Sequence, residues 1–148
     1  QKIGQSKETT AAVIDKAIFE AYPATFSPKD ILPGLQELLD ELDRLNIPRA
    51  VVSDHPTKSK LQGLGLSEGW VCCIDCSSLG ALKPLPDGLQ VAAQVLGLEA
   101  SELLLVGDRL DTDAEMAEAV GATCLVRGRD WSTGRDLAPQ ILRLVADS

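Results

Sequence analysis

Four short apolar runs, Ala50–Val52, Trp70–Ile74, Leu103–Val106 and Thr123–Val126, are separated from one another by segments with helical periodicity. No other feature limits the possible folds so tightly. The runs are continuous, not alternately polar and apolar, as expected of strands covered on both faces. Strands that alternate with helices in this way build a parallel sheet through right-handed crossovers. The expected architecture is therefore α/β, with a Rossmann-like parallel sheet as the middle of three layers.

The helical segments carry their own punctuation. From Lys7 to Tyr22, Ala11, Ile14, Ala17, Ile18 and Ala21 recur at helical spacing. Pro23 ends that helix, because proline disfavours helical geometry in the residue before it. Leu35, Leu38, Leu39, Leu42 and Leu45 form an amphipathic stripe between Pro33–Gly34 and Asn46–Ile47–Pro48. Helices over 57–64, 87–96 and 112–120 are each expected to stop at a glycine, namely Gly65, Gly97 and Gly121. A last helix is expected over 137–145.

With 148 residues the chain can bury one real core. Aromatic residues make up only 3%, so Leu, Val, Ile and Ala must fill it. The formal charge of −8 argues against nucleic acid or an anionic membrane surface as partner. No apolar run is long enough to span a bilayer, and no secretory signal pattern is present. A cytoplasmic location is expected.

Cys72, Cys73 and Cys76 cluster, with Cys124 apart. The Cys73–Cys76 spacing fits a zinc or redox site, but no second cysteine pair accompanies it and His55 is the sole histidine. Cys72 and Cys73 fall in a strand, where neighbours point to opposite faces. Small buried hydrophobes in a reducing compartment are the preferred reading.

Ligands of open parallel sheets collect beyond the carboxyl ends of the strands. Polar groups gather at three such ends: Ser53–Asp54, the loop carrying Lys83, and Gly107–Asp108 with Asp111 and Asp113. Hard carboxylate oxygens suit Mg²⁺, which takes one or two carboxylates, several waters and substrate phosphate. Asp108 is the first candidate ligand. Asp113 could reach the ion or steady its shell. For Asp111 an N-terminal helix cap is preferred, and Gly107 is expected to permit a sharp turn after the strand. Ser53 could hold a phosphate oxygen, or serve as an ordinary turn serine. Lys83, extended by Pro84, could neutralise phosphate, or stand solvated on the surface. His55 is given no catalytic role.

AVVSD, ALKPLPDGL and LLLVGDRLDTD, in this order, resemble the second, third and fourth motifs of the haloacid dehalogenase-like (HAD) hydrolases. PGLQELLDEL is similar to the segment leading into the second motif of phosphoglycolate-phosphatase-like members. The resemblance covers about residues 31–126. It implies phosphoryl transfer to an aspartate, with Mg²⁺ as cofactor and a small phosphate monoester as substrate. It further implies Ser53, Asp54 and Lys83 as the phosphate-binding set, Lys83 and Asp108 as catalytic, and Asp108 and Asp113 as the metal site.

The first motif of those hydrolases, a strand followed by Asp-x-Asp-Gly-Thr, has no counterpart here. Asp54 and Asp75 each end a strand, but neither is followed by x-Asp-Gly. By the resemblance the missing strand belongs in the middle of the sheet, between those ending at Ser53 and Asp108. The helix over 7–22 resembles the last helix of a small cap. Residues 1–26 are therefore expected to be a cap remnant, and 27–148 a core without its first strand. The chain itself is expected to be inactive, and strand exchange in a dimer could close the open edges. The alternative is a non-catalytic domain that binds a phosphorylated ligand or a protein partner.

Overall fold

The computed structural model describes residues 7–127 and 137–146. Four strands form at the expected places: β1 (Ala50–Ser53), β2 (Cys72–Asp75), β3 (Leu104–Gly107) and β4 (Thr123–Val126). β2 begins later than the apolar run suggests. Val71 lies outside it, although its amide still donates to the Arg49 carbonyl. The helices are α1 (Lys7–Lys16), α2 (Leu35–Arg44), α3 (Thr57–Leu64), α4 (Cys76–Leu79), α5 (Asp87–Leu96), α6 (Glu115–Val120) and α7 (Leu137–Ala146). The expected single helix over 7–22 is α1 followed by a wider π turn over Ala17–Ala21. The short α4, with Gly80 in the left-handed region at its end, was not legible in the sequence.

All strand pairing is parallel, but the sheet is divided. β1 pairs with β2 and β3 with β4, and among the described residues no ladder joins β1 to β3. The described strands thus form two half-sheets. They share a layer because the same helices cover both. On one face, Leu35 of α2 packs with Val51 of β1 and also in the cluster that takes in Leu104 and Leu125 of β3 and β4. On the other, Leu89 and Ala93 of α5 share a cluster with Val52, Leu105 and Cys124. The alternation of Val51 with Val52, and of Leu104 with Leu105, is the two-residue period of a strand between two helical layers.

Among the described residues neither β1 nor β3 has a ladder on its second edge. Their apolar residues are only half-buried, and Val106 is 37% exposed. Strands in a layer covered on both faces ordinarily bury such residues fully. The same partial burial holds in β2 and β4, so the whole described layer is less covered than a closed sheet of this kind.

The described side chains of α1 and the π turn stand largely outside the core. Of the apolar positions on the expected helix, Ala11, Ile14, Ala17 and Ala21 are exposed, and the side chain of Ile18 lies outside the described ones. Beyond it Pro23 is buried and Phe26 lies against α3. Residues 1–6 of the expected cap remnant fall outside the described residues.

Candidate active site

The mouth of β3 is built around one carboxylate. Asp113 is 3% exposed. Its Oδ2 accepts the amides of Asp108 and Arg109, each at 3.1 Å, and its Oδ1 accepts Lys83 Nζ at 2.7 Å. The backbone reaches this arrangement through a π turn over Leu110–Ala114, in which the Asp113 amide returns to the Arg109 carbonyl. Gly107 does not provide a left-handed turn here. A Cβ on it would lie 2.5 Å from Cβ, Cγ and Oδ2 of Asp113, so glycine is needed for close approach. Asp111, expected to cap the helix, instead forms an exposed pair with Arg109. The amides that such a cap would satisfy, those of Asp113 and Ala114, go to the Arg109 carbonyl.

The mouth of β1 has a different design. Ser53 is buried, and its Oγ accepts the His55 amide at 3.1 Å, which leaves the hydroxyl proton to donate elsewhere. Asp54 Oδ1 accepts the backbone amide of Lys83 at 3.0 Å. Burial, reinforced by the nearby Asp54 charge, pushes the Cys76 thiol up and keeps it protonated. Asp75, at the end of β2, accepts the first amide of α3 from Thr57 at 2.8 Å. The Lys83–Pro84 bond is cis.

These contacts join into one chain. Asp54 holds the Lys83 backbone, the Lys83 ammonium reaches Asp113, and Asp113 fixes the amide of Asp108. Residues far apart in sequence are thereby brought together across the gap between the half-sheets. Ser53 stands one residue before Asp54, at the same strand end. The Lys83–Asp113 pair is well shielded, with side chains 18% and 4% exposed.

Among the described residues no group of three or more His, Cys, Asp or Glu side chains is arranged to hold a metal. The donor set still fits a loosely held Mg²⁺, which needs few protein ligands. The Asp108 side chain is exposed and has no ion-pair or hydrogen-bond partner among the described residues. Both oxygens of Asp113 are already engaged, which suits it to support and not to direct ligation. The cysteines form no metal site either. All four are free; Cys76 is fully buried, whereas Cys73, expected to be a buried hydrophobe, is exposed.

A family model for haloacid dehalogenase-like hydrolases matches residues 2–121. The chain belongs to the haloacid dehalogenase-like hydrolases. It is 34% identical over 121 residues to a phosphoglycolate phosphatase of Pectobacterium atrosepticum, covering 77% of this chain and 51% of that protein. It is also 28% identical over 121 residues to a ribulose-1,5-bisphosphate 5-phosphatase of Halopiger xanaduensis, covering 80% of this chain and 49% of the relative. Among solved structures, a HAD phosphatase of Thermococcus onnurineus superposes with a TM-score of 0.64 at 27% identity, over 70% of this chain and 49% of that one. A β-phosphoglucomutase of Clostridium difficile matches in fold, with a TM-score of 0.69 at 18% identity over 90% of this chain and 60% of the other. The chain spans about half the length of the curated relatives it matches. As a HAD-like protein it carries the expected Rossmann-type architecture. Among the described residues no helix is long and apolar enough to cross a membrane.

One charged group beside this site was missed in the sequence. Lys60, on α3, is half-buried with its Nζ 5.5 Å from the centre of the Phe26 ring. The lysine stands one turn into a predicted helix, a position from which a side chain leans back toward the strand end. That spacing was the available signal.

Proposed function

We propose that this chain carries the phosphate- and Mg²⁺-binding half of a phosphohydrolase acting on a small phosphate monoester, and that the nucleophilic carboxylate arrives on a strand inserted between β1 and β3. The observation that carries this reading is the hydrogen-bonded chain Asp54–Lys83–Asp113–Asp108, which ties the carboxyl end of β1 to that of β3, two strands that share no ladder among the described residues. The relatives, which include phosphoglycolate phosphatases, support it.

Each residue has a role that its contacts allow. The Ser53 hydroxyl donates to a phosphate oxygen. Lys83 supplies positive charge, and Asp54 serves the phosphate site by holding the loop from which Lys83 projects. Asp113 keeps Lys83 and the Asp108 backbone in place. Asp108 is the carboxylate that would hold Mg²⁺. Such an ion supplies charge neutralisation at the transferring phosphoryl group. A strand in the slot would hydrogen-bond to both neighbours and bury the half-wet faces of β1 and β3. A carboxylate at its end would displace the ester alcohol from phosphorus, and water would then displace the carboxylate, dividing hydrolysis into two easier steps. Residues 1–26 are read as a remnant of a helical cap. The four free cysteines support a reducing, cytoplasmic setting.

The test is complementation. The chain alone is expected to give no turnover of nitrophenyl phosphate with Mg²⁺. Addition of an apolar strand peptide ending in Asp-x-Asp-Gly-Thr should produce turnover. Changing the first aspartate of the peptide, or Asp108→Asn in the protein, should remove it. Robust turnover by the chain alone, lost on changing Asp54 or Asp75, would overturn the reading. Light scattering separates this arrangement from the strand-exchanged dimer, which fills the same edges without peptide.

A further inference from the structure

Two lysines stand near the strand mouths, and they are used differently. Lys83 is committed to Asp113 at 2.7 Å. Lys60 has no carboxylate within ion-pairing distance among the described residues, although it is half-buried. A half-buried cation without a counter-ion is costly, and folds ordinarily avoid one. Here it is propped in place. Its Nζ lies 5.5 Å from the centre of the Phe26 ring, an arrangement that attracts a cation to the ring face. Phe26 is itself fixed edge-on against Tyr22, with centroids 5.1 Å apart, and Tyr22 lies 5.3 Å from the His55 ring. This platform of Tyr22, Phe26 and His55 therefore begins two residues from Ser53.

The electrostatics agree with that placement. Burial, and then the positive charge of Lys83, hold the Lys60 ammonium below the ordinary lysine range, while the Asp108 charge opposes them. Lys60 thus stands within electrostatic reach of both groups without touching either. An anion placed beside it would relieve the repulsion between the lysines and supply the missing counter-charge.

We propose that Lys60 is a specificity residue, which receives a second anionic group, carboxylate or phosphate, of a phosphate ester whose phosphoryl end sits at Ser53 and Lys83. The proposal rests on the phosphate-site reading above and adds the residue that selects among phosphate esters. Lys83 cannot serve both ends, because its ammonium is held by Asp113. Phe26 sets the height of the Lys60 ammonium, and so the length of substrate that fits.

Binding to the full chain in the presence of Mg²⁺, followed by calorimetry, tests this with three probes. Methyl phosphate carries the phosphoryl group alone. Phosphoglycolate adds a carboxylate, and ethanediol bisphosphate adds a second phosphate. Lys60→Met should weaken one or both of the last two by about tenfold, the worth of one charge-assisted contact, and leave methyl phosphate within twofold. Whichever probe loses affinity identifies the second group. Lys60→Arg, which keeps the charge, should restore most of the preference. Equal effects on all three probes, or no effect on any, would overturn the proposal while the phosphate site stood. Failure of the wild-type chain to bind any of the probes would overturn the phosphate-site reading, and this inference with it.

Discussion

The two half-sheets follow the same plan, strand, turn and helix, yet they finish it in opposite ways. At the mouth of β3 the buried carboxylate of Asp113 is fully occupied by two amides and an ammonium. At the mouth of β1 the Ser53 hydroxyl keeps a proton to donate and Lys60 keeps an uncompensated charge. At the β3 mouth the Asp113 carboxylate is fully engaged and only the exposed Asp108 carboxylate beside it is unspent, whereas the unspent groups of the β1 mouth are a hydroxyl donor and an ammonium. The difference teaches that a site on a parallel sheet needs both kinds of end. One fixes the charges, and the other leaves something for a ligand to satisfy.

The sharpest way to break the comparison is to open the closed end. Asp113→Ala strands the Lys83 ammonium and leaves the amides of Asp108 and Arg109 without their acceptor. A loss of about 3–5 kcal/mol in denaturant unfolding is expected, the usual cost of breaking a buried pair on one side. A loss below about 1 kcal/mol would show that the β3 mouth is no more closed than the other.

A pair of glycines probes the same contrast with smaller effects. A Cβ on Gly107 meets Asp113, which is tied at both oxygens and cannot yield. A Cβ on Gly88 meets Cys76 Sγ at 2.7 Å and Val52 Cγ1 at 2.8 Å, uncharged side-chain atoms without the paired hydrogen bonds that hold Asp113. Gly107→Ala should cost about 3 kcal/mol and Gly88→Ala about 1 kcal/mol, the two ends of the range for overpacking. The reverse order, measured by the same unfolding curves, would place the rigid half on the β1 side.

The smallest effect is expected at Lys60. Lys60→Met loses its attraction to Phe26 but also removes a desolvated charge, so stability at neutral pH should stay within about 0.5 kcal/mol of wild type. The pH dependence is more telling. Because the folded state depresses this lysine, the unfolded chain binds more protons between the lowered value and the ordinary one near 10.4. Wild-type stability should therefore gain as pH rises through that window, and the Lys60→Met curve should lack the gain. Coincident curves would mean that Lys60 is solvated and the β1 mouth holds no spare charge.

Much of the architecture was legible because helix periods, glycine stops and apolar runs are local. α2, α3 and α5 each begin and end within two residues of their expected bounds. The site was legible only as a set of addresses. Which acid would cap the β3 turn was misread, since Asp111 and Asp113 are equivalent in local pattern. A side-chain contact with Lys83, at 30 positions' separation, distinguishes them. Lys60 was passed over for the same reason, because its charge looks solvated until Phe26 folds over it.

The sequence by itself determined an alternating α/β chain, the places where its strands end, and the polar residue types at those ends. Tertiary structure alone decided that Asp54 and Asp113 share Lys83 between backbone and side chain, and that Lys60 has no carboxylate partner among the described residues. The reason is the range of the forces involved. Periodicity acts over a helical turn or a strand pleat and is written in neighbouring residues. Pairing of buried charges depends on which crossovers bring distant loops to one edge, and no local stretch of chain encodes that.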